Sequence, residues 1–470
     1  MNELKQVFNY ILGLGAPVLM PFVILAFGLT LRQGFARAFR AGLTVGIGFV
    51  GVQLIIGLLI TTVGPQAKAF SQVLGTGLDV LDVGWPVGAS ASFAYPIAFL
   101  LFPCIIVLNI IMLATRTTRT MDIDIWNYWH FLYTGALVYA AFQSFWIALA
   151  ATLLTAVIIF KLADWTAPAV EKHFGLPGIS LPHTETVNWA PLMYALERVW
   201  ARVPGLARLD VSPETVRKRL GLIGEPLVIG AVLGLAIGAL GGYGALAKGG
   251  SAGTYIKNLL SVAVTTSAVL FILPKMVAIL MEGLIPIAEG ARDFIRRRFP
   301  GENIYVGLDA AVVIGHPAGM AVALILIPIA LFLAVLLPGN RMLPFGDLAA
   351  LPFYIIWAVA AARGNLVRGL LNSTLVVVAI LYIGSDLADL TTTVAKTAGW
   401  DPAAGAGVAE AASFPAWSGI ALGSHVVPWI ILRLFDPTKS QFWIALGSAI
   451  VFAASWWWVR HDVKRVHEAS

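Results

Sequence analysis

Two stretches of the chain share an uncommon pattern of glycine and proline: "GWPVGASASFAYPIAFLL" at 84–101 and "GHPAGMAVALILIPIALFL" at 315–333. Both begin Gly-x-Pro-x-Gly, and both reach Pro-Ile-Ala about three helical turns later. A Leu-Asp pair lies just upstream of each stretch, ending at Asp82 and Asp309. Such short matches arise often by chance in apolar sequence, but the order of elements around the two copies also matches. We therefore predict an internal repeat.

The composition is typical of a membrane protein. Of 470 residues, 59% are hydrophobic and only 12% are charged, whereas soluble proteins average roughly 25% charged residues. Apolar runs long enough to span a bilayer recur along the chain, which predicts an all-α polytopic membrane protein with about 11 transmembrane helices. The net charge of +6 does not indicate nucleic-acid binding here, because the lysines and arginines lie in short loops predicted to be cytoplasmic. No metal or cofactor is expected, and the single cysteine, Cys104, is predicted to pack inside a helix.

Short basic loops set the predicted topology, because lysine and arginine concentrate on the cytoplasmic side. Loops such as "RQGFARAFR" at 32–40 and "RTTRT" at 116–120 place the N-terminus outside and the C-terminus inside. On this topology the helix after Pro96 runs inward and the helix after Pro328 runs outward. The repeat is therefore predicted to be inverted, and secondary transporters with this architecture bind substrate where matching segments are interrupted.

The chain divides into four predicted parts. These are a first inverted-repeat half at 1–160, a cytoplasmic amphipathic linker at 161–222, a second half at 223–385, and a C-terminal amphipathic segment with the last transmembrane helix at 386–470. The apolar run at 131–160 is long for one crossing. Whether it is one helix or two, divided near Gln143, stays open.

Glycine and proline within apolar runs free backbone groups that lipid cannot satisfy. We predict that four such residues form broken-helix backbone facing a polar ligand: Gly84, Pro86, Gly315 and Pro317. The alternative is a packing kink stabilised by neighbouring helices. Trp85 and His316 lie within these breaks and are predicted to contact the ligand.

Carboxylates flank both breaks. An ionisable residue inside the membrane costs roughly 2.5–3.5 kcal/mol, so Asp309 and Asp82 are candidates for binding. A solvated loop position is the alternative for Asp82. Offsets from the repeat align "TMDIDIWNYW" at 120–129 with "MLPFGDLAAL" at 342–351, which adds Asp347 as a third candidate.

A polar stripe follows in "DIDIWNYWH", at 122–130. Asn127, His130 and Thr134 are spaced about one helical turn apart and share a face, which predicts substrate contacts. The alternatives are a satisfied core histidine at 130 and an interfacial aromatic belt around it. His183 lies on the polar linker, where folding back to the site and remaining apart are equally open. His425 is predicted to pack.

Several blocks occur in an order that resembles one family. "DVGWP", "DIWNYWH", "GLDAAVVIGH", "PGNRMLPFGDL" and "GNLVR" are similar to galactitol-type IIC permease components of the bacterial phosphoenolpyruvate-dependent sugar phosphotransferase system, with ascorbate IIC proteins as distant relatives. The resemblance implies a multi-pass inner-membrane permease that forms a homodimer. It also implies an elevator mechanism, in which a core domain moves against a dimerisation domain in the lipid bilayer.

The resemblance also implies a site and partners. His130, Thr134, His183 and Asp309 match positions that hold substrate in the ascorbate relatives, with Thr134 in place of a glutamine. A galactitol-like polyol or sugar is carried inward and phosphorylated by a partner IIB protein, itself supplied by IIA, so no catalysis is expected from this chain alone. Two other functions stay open. One is an ion- or proton-coupled transporter that uses Asp309 or Asp82, and the other is a passive channel or sensor.

Overall fold

The computed structural model describes residues 16–74, 78–207, 226–247, 249–298, 304–344, 347–398, 414–436 and 438–461. Both termini lie outside these residues, and so does the predicted orientation of the chain ends. The described part is mostly helical, with a few short strands.

Helices in the first half of the chain are α1 Ala16–Thr30, α2 Phe35–Leu74, α3 Gly84–Ala94, α4 Ala98–Ala114, α5 Tyr128–Phe142, α6 Phe145–Phe174, α7 Thr184–Val187, α8 Ala190–Trp200 and α9 Pro204–Ala207. Those in the second half are α10 Pro226–Ala247, α11 Ala252–Arg298, α12 Pro317–Leu336, α13 Leu351–Ala361, α14 Leu366–Thr397, α15 Ile420–Gly423, α16 Val426–Leu434 and α17 Gln441–Val459. The strands are β1 Val80–Asp82, β2 Thr120–Asp122, β3 Ile179–Ser180, β4 Tyr305–Gly307 and β5 Ala416–Ser418.

Within the described ranges, 4 helices are long and apolar enough to cross a membrane: α6, α12, α14 and α17. The pair α3 and α4 makes a fifth crossing if the two helices, bent by 92° at a short break, count as one span. These helices agree with a polytopic membrane protein. The total of about 11 crossings stays a prediction.

The long apolar run at 131–160 is two helices. α5 ends at Phe142, Gln143 adopts a left-handed conformation with φ 52°, and α6 begins at Phe145. α6 then continues to Phe174, so the predicted linker from residue 161 begins inside a helix. The reason is that Asp164, a polar residue of that segment, faces the turn before β2 and accepts hydrogen bonds from the hydroxyls of Thr118 and Thr120. The boundary after residue 385 likewise falls inside α14, and the division into repeat halves stays a prediction.

One group of helices consists of α1, α2, α10 and α11, which pack chiefly on one another. Gly230, Gly234 and Gly238 recur at helical spacing on the face of α10 that meets α11. A Cβ atom on Gly234 would stand 2.5 Å from the Cα atom of Ala263. Small residues therefore let the two backbones approach closely, as is common between helices in membranes. The other helices form a second group around α5 and α14.

The short strands form two parallel sheets. β1 pairs with β5, with Asp82 opposite Ser418. β4 lies between β2 and β3, with Gly307 opposite both Asp122 and Ser180. Parallel pairing brings the carboxyl ends of the strands in each sheet to the same edge. The loops that leave these edges carry buried polar residues, among them Asp124, His183 and Asp309.

Both predicted breaks lie where a strand passes into a helix. α3 begins at Gly84, two residues after the last residue of β1, and Gly84 has a φ of 75°. α12 begins at Pro317, after a 3-10 turn at Ala310–Val312. Proline fits here because the first turn of a helix needs no amide donor. The two copies then differ, since the chain bends by 92° between α3 and α4 around Pro96, whereas α12 continues through Pro328.

Candidate substrate-binding site

Three parallel strands converge on one buried polar site. β2 leads to Asp122 and Asp124, β4 leads to Asp309, and β3 leads to His183. Because their carboxyl ends share an edge, Asp124 and Asp309 become neighbours although 185 positions separate them. All four side chains are buried.

His183 and Asp309 form the first pair of the site. The Nε2 atom of His183 is 3.4 Å from the Oδ2 atom of Asp309. Asp309 is held in place because its Oδ1 atom accepts from the backbone amide of Ala311 at 2.7 Å. Its own amide donates to the carboxylate of Asp124 at 3.1 Å. Hydrogen bonds to and from backbone amides therefore fix the position of Asp309 relative to His183.

His130 lies beside this pair. Its ring centroid is 4.4 Å from that of His183, and its side chain is fully buried. The Nδ1 atom of His130 is 3.0 Å from the Nε2 atom of His425 and 3.9 Å from the Oε1 atom of Glu185. His183, on the predicted linker after β3, thus contacts His130 on α5, although the whole of α6 separates them in sequence.

His130, Glu185 and His425 are the described residues that qualify as a metal-ligand set, since their donor atoms lie within 4.8 Å of one another. Two nitrogen ligands of a tetrahedral zinc ion stand roughly 3.3 Å apart, given bonds of about 2.0–2.1 Å. The ring nitrogens are closer, at 3.0 Å, and that is the length of an ordinary hydrogen bond. The geometry therefore fits a shared proton better than a metal ion.

Asp347 and Asp82 are a second group of carboxylates, and they accept hydrogen bonds from backbone amides at the first break. Asp347 accepts from the backbone amide of Trp85 at 2.8 Å and from that of Ala421 at 3.2 Å. Asp82 accepts from the amide of Gly84 at 3.0 Å. A Cβ atom on Gly419 would stand 3.0 Å from Asp82 and 3.3 Å from Asp347, so glycine lets the chain pass between the two carboxylates.

Four residues predicted to bind substrate contact other residues of the protein. Asn127 donates to the carboxylate of Asp122 at 3.0 Å. The hydroxyl of Thr134 donates to the carbonyl of His130 one turn earlier at 3.1 Å. The ring of Trp85 packs edge-on against Trp126, and His316 packs against His173 and Phe174. Their roles as ligands stay predictions.

Four further residues of the site were not predicted from the sequence: Asp122, Asp124, Glu185 and His425. Asp122 and Asp124 lie in the polar stretch at 122–130, and Glu185 lies two positions from His183, so these neighbours were the available signal. His425, predicted only to pack, contacts His130 because β5 brings the C-terminal segment to the first half of the chain. No local pattern indicates a contact of that sequence separation.

Hydrogen-bond acceptors dominate the site. Within the described ranges, no lysine or arginine pairs with Asp124, Asp309, Asp347 or Glu185. Buried acceptor atoms without a protein donor there include His130 Nε2, His183 Nδ1, Glu185 Oε1 and Asp122 Oδ2. Unsatisfied donors include the hydroxyl of Thr184 and the amide of Asn188. Because buried polar groups need partners, the site fits a neutral ligand that offers several hydroxyl groups.

The apolar helices are compatible with a polytopic membrane protein, and the family comparison identifies a permease component. A model of the EIIC-GAT family, described as the PTS system sugar-specific permease component, matches residues 10–405. The chain belongs to this family, which confirms the predicted resemblance and makes the chain a multi-pass membrane component of a sugar phosphotransferase system.

Two relatives are galactitol-specific components, and a third is a putative permease component. The chain is 36% identical over 456 residues to the galactitol-specific EIIC component of the phosphotransferase system of Escherichia coli K12, covering 97% of this chain and 96% of that protein. The same values hold for the protein of that name from Escherichia coli O157:H7. A putative permease IIC component of Escherichia coli K12 is 38% identical over 393 residues, covering 84% of this chain and 87% of the relative.

Proposed function

We propose that the chain carries a galactitol-like polyol across the membrane. The observation that carries the proposal is the set of buried acceptors around His130, His183 and Asp309, with no cationic partner in the described residues. A polyol is neutral and each hydroxyl both donates and accepts, so it satisfies such a site without bringing a charge. A sugar acid would bring a second negative charge beside buried carboxylates, which is costly. The galactitol-specific relatives support the same substrate class.

We further propose an elevator movement in a homodimer. His130, His183, Asp309, Asp347 and His425 all belong to the second helix group. The first group, α1, α2, α10 and α11, packs chiefly on itself. It meets the other group at α11, near the turn Ala310–Val312, and at α10, which contacts α12. Such a division suits a core that carries the substrate past a scaffold that also holds the partner copy.

The proposal includes phosphorylation by a partner IIB protein at the cytoplasmic side. A substrate oxygen forms the new bond to phosphorus, the bond between phosphorus and the IIB protein breaks, and the hydroxyl proton passes to the site. His183 is placed to accept that proton, because its Nε2 atom faces Asp309 and its buried Nδ1 atom has no donor within the described chain. This chain binds and orients the substrate, and the partner supplies the phosphoryl group.

The test is uptake of radiolabelled galactitol into vesicles with and without the phosphoenolpyruvate relay, followed by chromatography of the internal label. Internal galactitol phosphate that appears only with the relay supports the proposal. His183→Leu and Asp309→Asn are expected to lose most of the uptake, whereas the exposed Glu171→Gln variant keeps it. Unphosphorylated galactitol accumulated without the relay would overturn the coupling to IIB.

A second candidate is a proton-coupled transporter of the same polyol. It is favoured by the buried carboxylates of Asp309, Asp347 and Glu185, which no arginine or lysine neutralises among the described residues. Buried carboxylates without a cation are common proton carriers in transporters. An imposed proton gradient distinguishes the two, because it drives uptake without the relay only in the second case.

A further inference from the structure

We infer that His425 is a positioning residue that keeps the proton of His130 on Nδ1, and so leaves Nε2 of His130 as an acceptor for a substrate hydroxyl. The inference rests on the proposed function in one respect, the identity of the ligand. The tautomers themselves follow from distances within the protein. His425 lies outside the strands and turns from which the rest of the site is built, on the segment that enters after β5.

The tautomer of His425 is fixed by a backbone carbonyl. Its Nδ1 atom is 2.9 Å from the carbonyl oxygen of Ala421. A carbonyl oxygen only accepts, so Nδ1 must carry a proton. The ring is fully buried and lies against the rings of Trp129 and Tyr133. A cationic ring is costly in such an enclosed place, so the ring is neutral and its Nε2 atom is bare.

The tautomer of His130 follows from that of His425. The Nδ1 atom of His130 is 3.0 Å from the bare Nε2 atom of His425. Two bare nitrogens at that distance repel, so the proton between them belongs to His130. Glu185 is the other group that faces this nitrogen, and at 3.9 Å it lies beyond hydrogen-bond length. His130 therefore presents a bare Nε2 atom, which is buried and has no partner in the described chain.

The chain of hydrogen bonds is anchored at both ends. The peptide unit of Ala421 accepts from His425 through its carbonyl group, and its amide donates to the carboxylate of Asp347 at 3.2 Å. Asp347 in turn holds the amide of Trp85 at the first break. The orientation of His130 thus depends on the C-terminal segment, and a ligand hydroxyl is the missing donor at its Nε2 atom.

The tautomers are tested by 15N NMR of the full-length protein in lipid, with histidine labelled at both ring nitrogens. His130→Gln and His425→Gln identify the two rings by loss of signal. We expect protonated Nδ1 and bare Nε2 on both rings without ligand. A protonated Nε2 on His130 would overturn the inference. This readout needs no substrate, so it stands apart from the proposed function.

Binding is tested with galactitol by calorimetry on the same preparation. His425→Leu removes the acceptor for His130, and we expect affinity to fall about tenfold, the value of one hydrogen bond. His425→Gln supplies a side-chain oxygen there and is expected to restore affinity to within about threefold. The control is the exposed His461→Leu variant.

Two outcomes of the binding experiment contradict the inference. One is an equal loss in the Leu and Gln variants when both keep the unfolding temperature of the wild type. The other is a zinc ion bound in one-to-one ratio by the wild type and lost in His425→Leu, because a metal would then occupy the nitrogens assigned to the shared proton. If the wild type binds no galactitol, the proposed substrate fails, and the NMR result still decides the tautomers.

Discussion

The carboxylate of Asp347 accepts a hydrogen bond of 2.8 Å from the backbone amide of Trp85, although 262 positions separate the two residues. A matching contact joins Asp124 to the amide of Asp309, at 3.1 Å. Asp347 lies in the stretch 342–351 that the repeat aligns with 120–129, and Asp124 lies one position from the residue opposite it. Each therefore crosses to the break of the other half and satisfies an amide that lipid would leave unpaired. The two contacts are alike in form, and the inverted repeat stays a prediction.

Replacement of Asp347 is expected to destabilise the protein. Asp347→Ala removes the carboxylate that accepts from the amides of Trp85 and Ala421, and loss of the acceptor of a buried amide costs about 1–3 kcal/mol. Asp347→Asn keeps one oxygen acceptor and should lose less. Thermal unfolding in nanodiscs measures the difference. The exposed Asp389→Ala variant is the control, and equal melting of all three variants would contradict the account.

The glycine face of α10 predicts a steric effect. Gly234→Leu is expected to separate α10 from α11, because even a Cβ atom would stand 2.5 Å from the backbone of Ala263. Overpacking of this kind costs typically 1–3 kcal/mol, and more when backbone must move. Gly447→Leu on α17 is the matched control, since nothing lies within 4 Å of its added Cβ atom. Unfolding temperature and the yield of folded protein in detergent report the difference, and equal values for both variants would contradict close packing.

The ion pair of Asp79 and Arg341 predicts a pH-dependent contribution to stability. Arg341 binds both carboxylate oxygens, at 2.9 and 3.0 Å, and this hydrogen bonding lowers the pKa of Asp79 below its ordinary value of 3.8, while partial burial acts in the opposite direction. A lowered folded-state pKa means that the contribution is complete above pH 3.8 and is lost as the pH falls through the folded-state value.

Asp79→Asn is therefore expected to lower stability at neutral pH, by under about 1 kcal/mol because the pair is partly exposed. The difference from wild type should disappear on acidification below the folded-state pKa. Stability against guanidinium across pH measures it, with Asp389→Asn as the control, since Asp389 is 80% exposed and 3.7 Å from Arg341. A difference that persists at low pH would contradict the assignment.

Replacement of Asp309 is expected to weaken substrate binding rather than to destabilise the fold. Asp309→Asn keeps an oxygen for the amide of Ala311 but loses the charge beside His183, so we expect galactitol affinity to fall about tenfold or more. Calorimetry with galactitol measures the loss, and Glu171→Gln serves as the control. Unchanged affinity in Asp309→Asn would place the ligand elsewhere.

The sequence predicted those parts of the site that a local pattern marks. Ionisable residues beside Gly-Pro breaks identified Asp82 and Asp309, the repeat added Asp347, and the polar stripe on α5 identified His130. Thr134 lies on that stripe, yet its hydroxyl bonds to its own helix, as threonine often does to the carbonyl four residues earlier. Helical periodicity thus predicts which residues share one face of a helix, but it does not predict the hydrogen-bond partner of each side chain.

What the sequence could not predict depends on long-range pairing. His425 meets His130 because β5 pairs with β1, and three-residue strands carry no alternation long enough to detect. The extent of α6 was likewise hidden, since Lys161 and Asp164 look like the start of a polar loop. They are satisfied instead by the turn before β2, where Lys161 donates to the carbonyl of Thr117 at 2.7 Å.

The pairing of β1 with β5 also has a consequence for biosynthesis. Leu81 and Asp82 pair with Trp417 and Ser418, which are made near the end of translation, whereas Val80 also bridges to Met342. Until β5 leaves the ribosome, the carbonyl oxygen of Ser418 cannot accept from the amide of Val83, which then depends on water or on proteins of the insertion machinery. We therefore expect the newly made permease to be open to quality-control proteases at this break until the segment around β5 has been inserted.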